Sequence, residues 1–157
     1  MKSDINRDSV SAMVERAKGI FLKKSDNDFE KKILVDMPYY IIISNNMYSN
    51  YAFAFFSRFH VDKNTVRRLN LSLRDKKIKV DSYMCYPIIQ VNKSCLQKEP
   101  KALVYDVVSH ELAHLLDGVI NGYFYRTNSQ FHMGEWKRLH KLMGGSGKEL
   151  VESRISE

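Results

Sequence analysis

The chain reads as an α+β domain, and three features of its patterning lead to that class. An N-terminal stretch repeats apolar residues at helical spacing. The middle third is rich in β-branched and aromatic runs with period-two alternation. The last third carries helix formers opened by Pro100 and a second helical stretch closed by Gly144 and Gly145. The expected architecture is an N-terminal helix, a short antiparallel β-sheet with a hairpin, a long helix and a following helix.

Each element has a local reason. Ser9 can cap a first helix reaching about Lys24, with Val10, Met13, Val14, Ala17, Phe21 and Leu22 recurring on one face. Tyr39 to Ile43 and Tyr51 to Phe59 read as strands. So does the stretch from Val66 to Val80, where Arg68-Leu69-Asn70-Leu71-Ser72-Leu73-Arg74 alternates strictly and Ile78-Lys79-Val80 follows a polar turn, the pattern of a hairpin with one wet face. Pro87 precedes a last strand, Ile88-Ile89-Gln90-Val91. Pro100 suits the first turn of a helix, where a missing N–H costs nothing, and no breaker follows until Gly118. The final helix is expected from about Gly134 to a glycine stop at Gly144-Gly145.

At 157 residues, with 44% apolar and 27% charged residues, the chain suits one domain spanning 1–157, without repeats or low-complexity linkers. Cys85 and Cys95 form neither a CxxC pair nor a disulfide framework, and the start, MKSDINRDSV, has no apolar signal region. No apolar run approaches the length of a membrane span. A cytoplasmic monomer without membrane association is the expectation. The charge is less ordinary: 25 Lys and Arg against 18 Asp and Glu give a net of +7, which favours an anionic partner.

The Pro100 helix carries His110-Glu111-Leu112-Ala113-His114, an HExxH pattern. At 100° per residue the two histidines lie about 40° apart on one face, one turn above the other, and can share one zinc ion. Glu111 projects beside them and suits a general base acting on water. Two blander readings compete: metal-free helix histidines, or a purely structural zinc, for which the local shortage of Cys and His is unfavourable. A catalytic zinc needs a third protein ligand, and His132, Glu135 and His140 are downstream candidates, His140 reading more naturally as a helix-surface residue. Asp117, one turn beyond His114, suits either a partner that orients a ligand imidazole or a solvated charge. Trp136 reads as core, with Leu139 and Leu142 behind it.

The combination VVSHELAHLLD, a variable loop and FHMGEWKRLHKLMG resembles the SprT-like family, which includes the Spartan proteases. In that family HExxH is followed, after a short loop, by a histidine opening an HGxxW-type segment. The resemblance implies a zincin-like metalloprotease fold with Zn2+ held by His110, His114 and His132, and Glu111 as the base. Trp136 and Lys137 match the packing aromatic and the basic residue after it. Ile88-Ile89-Gln90-Val91-Asn92 matches the family's strand ending in Asn. The likeness covers roughly residues 85 to 144. Met133 stands where the family has Gly, and no Cys-rich zinc ribbon follows. The implied activity is that of a zinc metalloendopeptidase, and the Spartan members are DNA-dependent proteases acting on proteins crosslinked to DNA.

Residues 58 to 79 hold eight basic side chains, Arg58, Lys63, Arg67, Arg68, Arg74, Lys76, Lys77 and Lys79, against Asp62 and Asp75, so nearly all the net charge sits in one segment. Phe55, Phe56 and Phe59 precede it, and Tyr83 and Tyr86 follow. Cations for phosphates beside aromatics for bases suit single-stranded or unpaired DNA. Equally, hairpin lysines protect an exposed edge from aggregation and alternating aromatics fill cores. The loop from 121 to 131 is a lid candidate, and its Tyr123, Tyr125 and Arg126 are candidate oxyanion donors. The expected function is a DNA-associated zinc protease acting on DNA-bound proteins. Two alternatives are a regulatory metalloprotease cleaving a dedicated partner such as a repressor, and a DNA-binding module with an inactive or structural zinc.

Overall fold

A computed structural model describes residues 4–45, 51–57, 64, 67, 86–121 and 134–148. Helix α1 (Arg7–Lys24) and helix α2 (Asp28–Asp36) come first. Strands β1 (Tyr40–Ser44), β2 (Ala52–Ser57) and β3 (Tyr86–Asn92) follow. A single helical turn α3 (Lys93–Leu96), the long helix α4 (Lys101–Asn121) and helix α5 (Gly134–Leu142) complete the described elements. The α+β class is as expected from the sequence.

The cap of helix α1 stands three residues before the expected one. Asn6 holds the N-cap: its side chain accepts from the Ser9 N–H at 2.8 Å, and Ser9 Oγ accepts from the Asn6 N–H at 3.0 Å. Ser9 is therefore the third helical residue of a reciprocal capping box, which satisfies two orphan donors where a lone Ser9 cap would satisfy one. Helix α2 was not anticipated, although its signal is present. Asn27 caps it by accepting from the Glu30 N–H at 3.0 Å, Ile33 and Leu34 are buried one turn on, and Pro38 follows its end.

The sheet departs from expectation in direction. Its order is β1-β3-β2, with β1 parallel and β2 antiparallel to β3, so the sheet is mixed and not antiparallel. The chain between β1 and β3 is far longer than the dozen residues a parallel return requires, and β3 inserts between its predecessors. Ile88, Ile89 and Val91 are buried, so apolar side chains lie on both faces of this central strand, with the half-buried Gln90 between them. Pro87 is tolerated in the central strand because pairing with β1 begins only at Ile88. The expected hairpin over 66 to 80 lies outside the described residues except at Arg67, which is helical, as is Asn64. Strict alternation begins only at Arg68, and at Arg67, just before it, the strand reading does not hold.

Helix α4 is buried along most of its length, packed between the sheet and helices α1, α2 and α5. It starts one residue after Pro100, whose carbonyl accepts from Leu103 and Val104, and runs through Gly118 to Asn121. Helix α5 ends as expected. Gly144 has φ +80°, and a Cβ on Gly145 would overlap the His140 imidazole, so the two glycines serve different needs.

Two ties fix the helices to one another. Arg138 of α5 donates to both carboxylate oxygens of Glu30 on α2, at 3.0 and 2.6 Å, and also to Glu135. Arg16 of α1 stacks on the Tyr105 ring at 4.3 Å, while the Tyr105 hydroxyl donates to the Met143 carbonyl at 2.6 Å. Glu30 is only 4% exposed, so removing Arg138 strands a buried carboxylate. Arg138→Met is expected to cost about 2–3 kcal/mol in urea unfolding, below the range of fully buried pairs because the guanidinium is partly exposed. Glu135→Ala is expected to cost under about 1 kcal/mol. Equal effects would contradict the clamp.

Candidate metal centre

The helix that carries His110, Glu111 and His114 is in place, and its geometry brings the two histidines together. Their Nε2 atoms stand 3.2 Å apart, with ring centroids 4.9 Å apart in an edge-to-face arrangement. Two nitrogens bound to one tetrahedral zinc at the usual 2.0–2.1 Å are about 3.3–3.4 Å apart, so the pair fits a shared ion with little adjustment. Glu111 Oε1 lies 3.8 Å from His110 Nε2. His110 and Glu111 are almost fully buried, whereas His114 is partly accessible. The pair thus has one histidine anchored in the core and one reaching toward solvent.

His132, the third ligand implied by the resemblance, lies outside the described residues, as do Tyr123, Tyr125, Arg126 and the rest of the lid candidate beyond Asn121. Among the described residues no group of three or more His, Cys, Asp or Glu converges on a metal position. Glu135, the alternative ligand, is half exposed and tied to Arg138, at 3.0 Å to its Nη2. Asp117 is buried, not a solvated charge, and its carboxylate accepts from the Asn121 side chain. Burial pushes its pKa up, with the nearby Glu135 and Glu30 carboxylates adding in the same direction.

His140 is a correction. It is fully buried, not a helix-surface residue. With Trp136, Leu139 and Met143 it forms the buried face of α5 and its C-terminal turn, at helical spacing that its polar neighbours Arg138 and Lys141 obscure. The Gly147 N–H donates to His140 Nδ1 at 3.1 Å, which leaves Nε2 as the protonated nitrogen, facing Ser109 Oγ at 3.0 Å and the Asp106 carbonyl at 3.2 Å. Ser109 Oγ in turn donates to the Tyr105 carbonyl at 2.8 Å. The same neighbourhood fixes the chain after α5, where Asp106 accepts from the Ser146 N–H at 2.7 Å and the Ser146 hydroxyl at 2.8 Å.

Trp136 is buried, as expected of a core residue, but its surroundings were not legible. Its ring lies 4.6 Å from His110 edge-to-face, 5.3 Å from His114 and 5.2 Å from His140, both stacked, and its Nε1–H donates to the His110 carbonyl at 3.1 Å. Three imidazoles thus surround one indole.

Of the eight basic residues in the 58–79 segment, Arg67 is described and exposed; Arg58, Lys63, Arg68, Arg74, Lys76, Lys77 and Lys79 lie outside the described residues. Phe56 packs against the core, while Phe53 is the exposed aromatic of β2. No described helix is long and apolar enough to cross a membrane. Comparison with protein families, curated proteins and solved structures returns no match.

Burial pushes the His140 pKa down to about 4, and the nearby Asp106 carboxylate only partly offsets this. A base whose folded pKa lies below its unfolded value of about 6.5 contributes stability above that value and loses it as pH falls toward the folded pKa. Unfolding free energy is expected to fall by about 2 kcal/mol between pH 7 and pH 5 from this residue alone. His140→Gln is expected to flatten that part of the urea-denaturation pH profile; an unchanged slope would remove His140 as its source.

Proposed function

We propose that this chain is a zinc-dependent metalloendopeptidase of SprT-like, zincin type, associated with DNA and acting on proteins bound or crosslinked to it. The observation that carries the reading is the convergence of His110 and His114 Nε2 atoms at 3.2 Å with the Glu111 carboxylate beside them, on one buried helix. Zinc is held by His110, His114 and, by the resemblance, His132. Glu135 is the weaker third candidate because Arg138 engages it.

When bound, a zinc ion supplies Lewis acidity toward a peptide carbonyl. The chain's own residues supply the rest. Glu111 takes the proton of the attacking water and returns it to the leaving amine nitrogen, so that neither hydroxide nor amide anion is released. Its position one residue after His110 places this carboxylate beside the ligand face without competing for the same ligand position. Burial of His110 and Glu111 keeps bulk water from the proton-transfer partners. Asp117, one turn beyond His114 on the same helix, is held by the Asn121 side chain.

The DNA part of the reading is supported by charge. The +7 net is concentrated at residues 58 to 79, and phosphate contacts by such a segment give salt-dependent affinity.

Glu111→Gln is expected to retain about one zinc per chain by metal analysis while casein cleavage falls at least about a hundredfold. Cleavage at the wild-type rate in that variant would sink the mechanism. His132→Ala is expected to lower zinc content, and unchanged affinity would refute that ligand. Single-stranded DNA is expected to bind with an affinity that drops as salt rises and to stimulate cleavage. Replacing Lys76, Lys77 and Lys79 together by Ala is expected to lower the salt slope by about two to three. Cleavage of one partner protein regardless of DNA would favour the regulatory protease, and DNA binding without cleavage would favour the non-catalytic module.

A further inference from the structure

Helix α5 meets the candidate metal centre through Trp136 and His140, the latter edge-to-face with His110 at 5.7 Å between ring centroids, and only Trp136 reaches both imidazoles among the ring contacts of the described residues. The backbone bond that spaces the two histidines one turn apart runs from the His114 N–H to the His110 carbonyl, and that same carbonyl accepts the Trp136 Nε1–H at 3.1 Å. The indole is stacked on His114, with ring planes 20° apart, and meets His110 edge-on, with planes 62° apart. Rotation about the last side-chain torsion of a histidine is otherwise broad, so a helical pair of histidines does not hold its nitrogens convergent unaided. Trp136 itself is held, fully buried, against His140, with its helix clamped to α2 by Arg138 and Glu30.

We propose that Trp136 is a positioning residue for the His110 and His114 pair: its indole fixes the planes of both imidazoles and the carbonyl between them, so that the two Nε2 atoms converge. This rests on the reading of that pair as metal ligands. The arrangement fits the general behaviour of outer partners that orient ligating histidines, whose loss lowers metal affinity about 10- to 100-fold. Here the orienting contact is a ring face and an indole N–H in place of a carboxylate.

The test is zinc and cobalt affinity by chelator competition, with the visible absorption of the cobalt form as a measure of ligand geometry. Trp136→Phe keeps a ring and removes the donor; Trp136→Leu removes both. Zinc affinity is expected to fall about tenfold in the first and more in the second, with altered cobalt bands in each. Leu139→Ala, which opens the same buried face of α5 at an aliphatic side chain that supplies neither a ring nor a donor, is expected to bind zinc as the wild type does. Because this is the sole tryptophan, wild-type emission is expected to change on zinc addition and to stop responding in His114→Ala. Wild-type affinity and unchanged cobalt bands in Trp136→Phe and Trp136→Leu would overturn the proposal, as would an equal loss in Leu139→Ala. If Trp136→Leu does not fold, Trp136→Phe decides. A wild-type chain that takes up neither ion would remove the metal reading and this proposal together, whereas wild-type binding matched by the variants would remove the proposal alone.

Discussion

The structure depends on burying a helix that carries polar groups. Helix α4 lies between the sheet and three other helices, yet Ser109, His110, Glu111 and Asp117 are all sunk within it. A buried polar group without a partner costs on the order of 1–3 kcal/mol, so the neighbouring elements must supply complementary donors and acceptors as well as apolar surface. Helix α5 and the turn after it meet that requirement on one side. His140 faces Ser109 and the Asp106 carbonyl, the Ser146 N–H and hydroxyl reach Asp106, and the indole N–H reaches the His110 carbonyl.

That constraint explains the glycines at 144, 145 and 147, after α5. The C-terminal turn must bend tightly around the His140 ring to bring the Gly147 N–H onto it, and a side chain at Gly145 would occupy the space of the imidazole. It also explains the neutral state of His140. A ring enclosed by apolar neighbours, with one nitrogen accepting and the other donating, has its hydrogen-bonding capacity filled without charge. The ionic tie of this helix is instead placed at its rim, where Arg138 is partly exposed and can reach Glu30 and Glu135 at once. Exposure of the guanidinium offsets part of the desolvation cost of the buried Glu30 carboxylate that it pairs with.

His114 is the more exposed of the two histidines, and the pair points its Nε2 atoms at one another. The pair thus has its footing in the core, through His110, and one ring, His114, within reach of solvent. The basic segment at residues 58 to 79 contributes most of the net charge from elsewhere in the sequence, so the charge excess and the two histidines belong to separate stretches of chain.

Much of this was determined by the sequence on its own, because it depends on local geometry. HExxH on a helix fixes which side chains share a face, Pro100 and the two glycines mark where helices open and close, and the Ile88-Ile89-Gln90-Val91 run after Pro87 marks a strand. Helix α2 was legible in principle through Asn27 and Glu30, and the burial of His140 through its spacing from Trp136 and Leu139, but polar neighbours masked both patterns. Only the tertiary structure decided the direction of β1 against β3, since the alternation within a strand is blind to which way its partner runs. It alone paired Arg138 with Glu30 across 108 residues and turned the indole of Trp136 onto the two histidines. Those contacts form between elements remote in sequence, where spacing along the chain carries no distance.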